Sequence, residues 1–546
     1  MSPITQRIQW AKPLIALLII VHILPIWIFK YFPSQDGPAH VYNAYILNAI
    51  PSIESTLLRT YYEVNLTPFP NWISHIVLAG LMYIVRPLIA EKILLSLIIG
   101  LLPISFFYFL HYSVNKNNRE VKIDFSLYGF FGFLFSYHYL LHMGFYNFSL
   151  SVSLYFFTIG YFLQQHAAMT LNRSGIPKLS FLLLLCIMTY FCHILSFALV
   201  LLSLTLFLIV KFYPGPNESW ISQCRKITPI LITLTPLYII VLNYLKTSGI
   251  NQQPRREGIN QIWIRLSDPE KWAYLLNTQV LVYFTDAHQL ITRLMLMLVV
   301  SLFIVTIYRQ YVRKIPAGSP EVSTQSRLPY FMLSGILTLF YFVMPWSIGS
   351  GAWINDRISL FIIPVLLPSL SQDFPNKIKQ GLLIFIVGLS VGHLAISCRY
   401  YYHLNESIQE FTSGIELIED NKTLLGLSSD FSPAVTNDAP FTHNEYVEPF
   451  VHVVNYYGLN NGCVSLSNYE AKYNYFPLNW KQKHTGIIDY IVTWKLDPNY
   501  PEACGDNIKS THNLDVKEIA KRLQSDYDLI HTTDNLALYR YKTNQQ

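Results

Sequence analysis

Apolar and polar positions fall in long blocks along this chain. Apolar stretches of roughly 17 to 22 residues, the length that crosses about 30 Å of hydrocarbon, recur as far as about residue 398 and then cease. They predict eleven membrane-spanning helices, near 11–31, 89–112, 125–141, 146–164, 179–193, 195–211, 227–245, 290–308, 328–347, 357–371 and 381–398. The boundary between the fifth and sixth is set only by the turn around His193. One further apolar segment, Trp72 to Val85, is about 14 residues long and flanked by His75 and Arg86; its length leaves open whether it spans or lies in the interface. From about residue 399 the texture changes to polar turns between short β-rich runs such as "DYIVTW" and "LALYRY", with a helical pattern, "DVKEIAKRLQSDY", between the two. That predicts a small α/β domain over 399–546.

Composition agrees with the pattern. With 52% hydrophobic and only 13% charged residues over 546 positions, the chain has too much apolar surface for one soluble core. The net charge of +6 is dispersed, with no basic run interleaved with aromatics, so nucleic acid is not an expected partner.

Basic residues matter through their position. If Trp72 to Val85 does not cross, the loops carrying Lys116, Arg119 and Lys122, then Arg173 and Lys178, then Lys211, Arg225 and Lys226, then Arg309, Arg313 and Lys314, then Lys377 and Lys379 all fall on the side of Arg7 and Lys12. Lys and Arg prefer the cytoplasm, so the amino end is expected inside, the carboxyl-terminal domain outside, and the first span uncleaved. The expected location is a bacterial inner membrane. Outer loops then lie at 32–88, at 246–289 with Trp263, Trp272, Asp286 and His288, and at 346–357.

Candidate chemistry collects in those loops. In "SQDGPAHVYNAYIL", residues 34–47, Asp36, His40 and Asn43 share a face if the segment is helical, and Pro38 suits its first turn. Asp36 is then either a helix N-cap or a surface carboxylate able to accept a proton, with Gly37 letting a substrate approach the backbone. His138 and His142 in "YHYLLHMGFYNFSLS" stand four apart. Zinc binding, an interfacial location, or lining of an outer cavity together with Asn147 are all open to them. Arg357, in "NDRISLFIIPVLLPSL", places a guanidinium at the mouth of an apolar span, where it either snorkels or offers its fork of donors to a lipid-borne phosphate. Arg255, Arg256 and Arg265 have the same choice, and His193 is a weaker member of the group. Cys463 and Cys504 are a disulfide in an oxidising compartment or two free thiols. Asn65 and Asn421 begin N-x-S/T sequons that composition alone would produce by chance.

These motifs, "QDGPAHVYNA", "TPFPNWISHIVLAG", "RPLIAEKILLSLI" and a late "RISLFIIPVLLP", resemble in their order the GT-C superfamily of membrane glycosyltransferases, and within it the branch of aminoarabinose transferases and protein O-mannosyltransferases. The resemblance covers about residues 1–398. It implies a polytopic α-helical GT-C-like fold and an inverting transfer of sugar from a polyprenyl-phosphate donor to a lipid, glycan or protein acceptor at the outer face. In that scheme Asp36 is the base, and Arg357, with Arg255 or Arg256, holds the departing phosphate; His40, Asn43, His142, Asn147 and His193 line the substrate site. The sequence departs from the family pattern in having Gly37 where a second acid often follows, "HMGFYNF" where relatives often carry another acid, and no Asp-x-Asp pair in the outer loops. No metal and no cofactor are therefore expected, in keeping with the lack of a glycine-rich phosphate loop. A transporter of lipid-linked intermediates and a non-catalytic assembly subunit are the competing readings.

Overall fold

The structure is a computed structural model that describes residues 3–52, 56–114, 127–211, 219–247, 264–309, 324–348, 351–371, 374–429, 447–459, 461–496 and 514–542. It is mostly helical, with a small sheet region near the carboxyl terminus. The chain opens with α1 (Pro3–Ile28) and folds its first long loop as α2 (Gly37–Ala49), α3 (Thr56–Tyr61), β1 (Tyr62–Val64) and α4 (Ile73–Leu81). It continues as α5 (Pro87–Val114), α6 (Phe131–Phe135), α7 (Tyr139–His142), α8 (Tyr146–Gln165), α9 (Ile176–Cys192), α10 (Ile194–Lys211) and α11 (Trp220–Thr247). The later helices are α12 (Pro269–Leu276), α13 (Ala287–Ile307), α14 (Thr324–Val343), α15 (Ile354–Leu366) and α16 (Asn376–Phe411).

Among the described residues, four helical stretches are long and apolar enough to cross a membrane: Pro87–Ser113, Gln223–Tyr244, Ala287–Ile307 and Asn376–Leu417. Lys12–Ile28, Ile176–Cys192, Ile194–Val210 and Arg327–Val343 are shorter apolar helices. Ile20, Ile239, Met297 and Ile384 on these elements stand more than half exposed, an arrangement that lipid accepts and water penalises. α4 has nine residues and rises about 13 Å, less than half of a hydrocarbon core.

The expected span over 125–141 is not one helix. A 3-10 turn at Leu127–Phe130 leads into α6, the backbone breaks at residues 136–138, and α7 adds one short turn. The break has a local cause: His138 is extended (φ −133°, ψ 160°) and its ring accepts the amide N–H of Leu141, acting as the N-cap of α7. His138 and His142 therefore do not share a helical face, and the zinc-pair geometry is lost. At the other uncertain boundary, α9 and α10 are separated by the single extended residue His193 (φ −161°, ψ 127°).

The expected boundary at 398 falls inside α16, which runs on to Phe411, and a turn with the 3-10 piece Ile415–Leu417 then leads to the sheet. There β2 (Thr423–Ser428) pairs in parallel with β3 (Val464–Ser465) and with β5 (Tyr490–Trp494), and β5 pairs antiparallel with β7 (Leu536–Tyr541). β5 and β7 are the runs "DYIVTW" and "LALYRY". The helical pattern after residue 514 forms two short pieces, Val516–Lys521 and Leu523–Asp526, and its last residue opens the edge strand β6 (Tyr527–Thr532), which pairs antiparallel with β7. Cys463 is buried, with its thiol 3.1 Å from the carbonyl of Glu419, and Cys504 lies outside the described residues.

The loop and the sheet region are one structure. β1 pairs antiparallel with β4 (Leu478–Trp480), matching Tyr62 with Trp480 and Val64 with Leu478. Tyr42 of α2 donates its hydroxyl to the carbonyl of Cys463 at 2.7 Å and accepts the amide of Ser465 at 2.9 Å.

Candidate functional site

α2 begins where proline, glycine and an acid say it should, with Pro38 in its first turn and Asp36 at the N-cap position. Yet the Asp36 side chain makes no capping hydrogen bond. Its carboxylate instead accepts the hydroxyl of Tyr469 and lies 3.5 Å from Nε2 of His452, whose ring stacks on Tyr469 with centroids 4.4 Å apart. Gly37 serves the protein and not a substrate: a Cβ there would stand 2.1 Å from the Ser34 hydroxyl and 2.3 Å from that of Tyr146.

Burial dominates the electrostatics. It pushes the Asp36 carboxyl up to about 6, against the opposing pull of His40 and Tyr469. Burial likewise lowers His452 to about 4, so that neighbour is neutral at pH 7 and does not pair with the acid as an ion. Asp36 is thus a carboxylate poised to exchange a proton near neutrality.

His40 and Asn43 follow Asp36 on one face of α2 and meet a second acid. Nδ1 of His40 is 2.5 Å from Oε1 of Glu470, Asn43 donates its amide to the same carboxylate, and Asn468 donates to the Asn43 carbonyl at 2.8 Å. His75 on α4 completes the group, with Nε2 3.1 Å from Glu470 Oε2 and 3.3 Å from His40 Nδ1. Burial opposes ionisation of Glu470, but the two imidazoles override it and hold the acid well below the carboxylate range. Two carboxylates of one pocket therefore behave oppositely because their partners differ.

α4 is positioned by its neighbours. Trp72, at its N-cap position, gives no side-chain cap; the Asn147 side chain of α8 accepts the amide of Ser74 at 2.7 Å and donates to the carbonyl of Asn71 at 2.8 Å. Asn147 thereby fixes the helix that carries His75. His142 points elsewhere, stacking on Tyr283 at 3.7 Å with its Nε2 2.6 Å from the Tyr401 hydroxyl. Its backbone still matters, because its carbonyl accepts the amide of Gln35 at 2.8 Å and that of Met143 accepts Asp36 at 3.1 Å.

Arg357 opens α15 beneath the same turn. Its guanidinium lies over the ring of Phe145 at 4.6 Å and near Phe148 at 5.5 Å, and one NH2 arm donates to the carbonyl of Ala352 at 2.7 Å. Its Nε is buried with no hydrogen-bond partner. His193 stands edge-on to Phe148 at 5.1 Å and within the electrostatic reach of Arg357. α8 and α15 also enclose part of a narrow apolar cavity of about 10 Å³, no roomier than a single water molecule, lined by Val152, Phe156, Leu360 and Pro364, with α5 and α6 supplying other walls. Leu360 and Pro364 follow Arg357 at i+3 and i+7, and Val152 and Phe156 follow Phe148 at i+4 and i+8, so guanidinium and cavity share one seam. Arg265 donates to the carbonyl of Val343 at 2.8 Å, and Arg255 and Arg256 lie outside the described residues.

Residue-by-residue reading of the sequence missed His75, His452, Tyr469 and Glu470. Of these only His75 lay in a segment already singled out. The other three come from the carboxyl-terminal region, and nothing in local spacing connects them to α2.

Two outcomes test this electrostatic picture. Asp36 has a folded-state pKa of about 6 against about 3.9 unfolded, so the fold favours the protonated form and loses stability as pH rises from about 4 to 6. Asp36→Asn should therefore raise thermal stability at pH 8 by an amount worth about 2–3 kcal/mol, with the gain vanishing by pH 4; a loss of stability at pH 8 would show that the ionised acid supports the fold. Gly144 sits at φ +84°, and a Cβ there would stand 2.5 Å from the Gly37 amide nitrogen. Gly144→Ala should thus lower the melting temperature by several degrees, at a cost of more than about 1 kcal/mol.

No protein-family model matches the chain, and no curated protein is significantly similar to it.

Proposed function

We propose that this protein is an inverting glycosyltransferase of the GT-C kind that moves a sugar from a polyprenyl-phosphate donor to an acceptor at the outer face of the membrane. In this reading the chain crosses a bacterial inner membrane eleven times, with its amino end inside and the sheet region outside, as the distribution of Lys and Arg favours. No nucleotide or other cofactor is needed, because the donor's phosphate ester is already a leaving group.

The observation that carries the proposal is the seam around Gly144 and Phe145. Gly144 packs on the backbone of Asp36, and the next ring, Phe145, lies under Arg357. Tyr475 lies within electrostatic reach of both Asp36 and Arg357. A phosphate on the unpartnered Nε of Arg357 would direct an isoprenoid tail along Leu360 and Pro364, where the narrow apolar seam between α8 and α15 would have to part to take it. Asp36, ionised above about pH 6, would take the proton of the acceptor hydroxyl as its oxygen bonds to the anomeric carbon. The bond from that carbon to the phosphate oxygen breaks on the opposite face, and its electron pair leaves on the phosphate that Arg357 neutralises.

A transporter of lipid-linked intermediates draws support from one observation, the buried histidines His22, His288 and His393 on apolar helices. Their partners weigh against a conduit: His22 bonds the Leu18 carbonyl and His393 the Leu281 carbonyl, as structural histidines do.

With a short-chain polyprenyl-phosphate sugar as donor, Asp36→Asn should lower transfer by about 10² to 10⁴ while the protein stays folded. The wild-type rate should fall as pH drops through about 6, and the product should be inverted at the anomeric centre. Arg357→Ala should raise KM for the donor more than tenfold, roughly the loss of one charge-assisted contact. Unchanged transfer in Asp36→Asn removes the catalytic role. Single cysteines placed at 118 and 430 should react with an impermeant reagent from opposite sides of the membrane; reaction of both from one side removes the orientation.

A further inference from the structure

His40, His75 and Glu470 form a cluster whose chemistry the transfer step does not use. All three side chains are essentially buried, and one ligand-type atom from each lies within 4.8 Å of the other two. The arrangement is an unusual way to pack hydrogen bonds. Nδ1 of His75 faces the carbonyl of Asn71 at 3.2 Å, a partner that can only accept, so that nitrogen carries the proton in the neutral ring. Nε2 then presents a lone pair to the Glu470 carboxylate at 3.1 Å and to His40 Nδ1 at 3.3 Å. The other nitrogen of the His40 ring is likewise held by the Gly144 backbone. Glu470 Oε1 makes no well-directed hydrogen bond although His40 Nδ1 is close by. A main-chain carbonyl thus engages one nitrogen of each ring, and the other nitrogen of each converges with the Glu470 carboxylate on one point.

We propose that this point is a zinc site, with His40 Nδ1, His75 Nε2 and the Glu470 carboxylate as its three protein ligands and a fourth position open to water. Zinc bonds to nitrogen at about 2.0–2.1 Å, which separates two tetrahedral ligands by about 3.3–3.4 Å, and the imidazole nitrogens already stand 3.3 Å apart. The Glu470 oxygen nearest His40 has to retreat by less than about 1 Å to reach the same spacing. Two imidazoles with one carboxylate suit zinc better than magnesium or calcium, which prefer all-oxygen shells. The outer layer is also present: main-chain acceptors orient both rings, while Asn43 and Asn468 orient the carboxylate. Such an ion would bridge α2, α4 and the segment after β3, and so clamp the first long loop to the sheet region. This inference rests on the cluster alone and stands or falls apart from the sugar-transfer proposal.

The full chain, purified in detergent without a polyhistidine tag or chelator, should carry about one zinc per molecule by elemental mass spectrometry. After removal of metal it should take up cobalt with the visible absorption of a four-coordinate site. Glu470→Gln and His75→Asn should each abolish uptake, and Asn43→Ala, outside the ligand set, should weaken zinc binding about tenfold to a hundredfold. A folded wild-type chain that takes up neither zinc nor cobalt at micromolar free metal overturns the proposal, as does equal uptake by folded Glu470→Gln. Should both ligand variants fail to fold, the wild-type cobalt titration decides alone.

Discussion

Everything in the site depends on two main-chain hydrogen bonds across a close approach of backbones. The amides of Gln35 and Asp36 donate to the carbonyls of His142 and Met143, which brings the start of α2 against the turn between α7 and α8. That approach is possible because glycine occupies both sides of it: Gly144 adopts a left-handed conformation and Gly37 leaves room for Ser34 and Tyr146. A side chain at either position would separate the acid-bearing loop from the turn that carries Phe145. With the contact made, Asp36 and Arg357 lie on two sides of a single turn, and the rest of the pocket assembles around them.

The second constraint is desolvation, and partner choice decides its outcome. Glu470 is fully buried yet stays ionised, because two imidazoles and an asparagine amide point at it. Asp36, nearly as buried, has a tyrosine hydroxyl and a neutral histidine for company, and its carboxyl rises toward neutrality. The fold thus separates a fixed negative charge from an exchangeable one within a few residues of α2. A buried acid held in reach of protonation weakens the fold at neutral pH, and such a weakness is retained where chemistry needs it.

Much of this was legible in the chain, and the illegible part has a common cause. Apolar blocks marked helical regions because helix length and composition are local properties, although among the described residues four helices, against eleven expected, are long and apolar enough to cross a membrane; the DGP sequence located the start of α2 because Pro38 and Gly37 act through their own backbone. Asp36, His40 and Asn43 do share a face, as their spacing required. The reading of 125–141 as a single helix failed because composition cannot register a histidine ring that caps a new turn at Leu141. Asn147 read as a polar lining residue, whereas its amide serves the backbone of α4. The larger omission was Tyr469, Glu470 and His452, which reach α2 only through strand pairing and packing between segments about 400 positions apart. Sequence periodicity carries no information about such contacts.

How the sheet region meets the first loop also constrains how a substrate could arrive. α2 is held from its outer side by Tyr42, whose ring occupies the space that a Cβ on Gly458 would need, and by the pairing of β1 with β4. α4 is held from its start by Asn147 and by the hydrogen bond from Trp72 to the carbonyl of Phe191. Entry past these elements would require breaking buried hydrogen bonds together with a strand pair, a cost of several kcal/mol. Parting the α8 and α15 seam would break no such bonds, because apolar side chains alone line the narrow cavity there. Buried hydrogen bonds on one side and an apolar seam on the other thus place the capacity to yield on α15 rather than on the helix that carries Asp36.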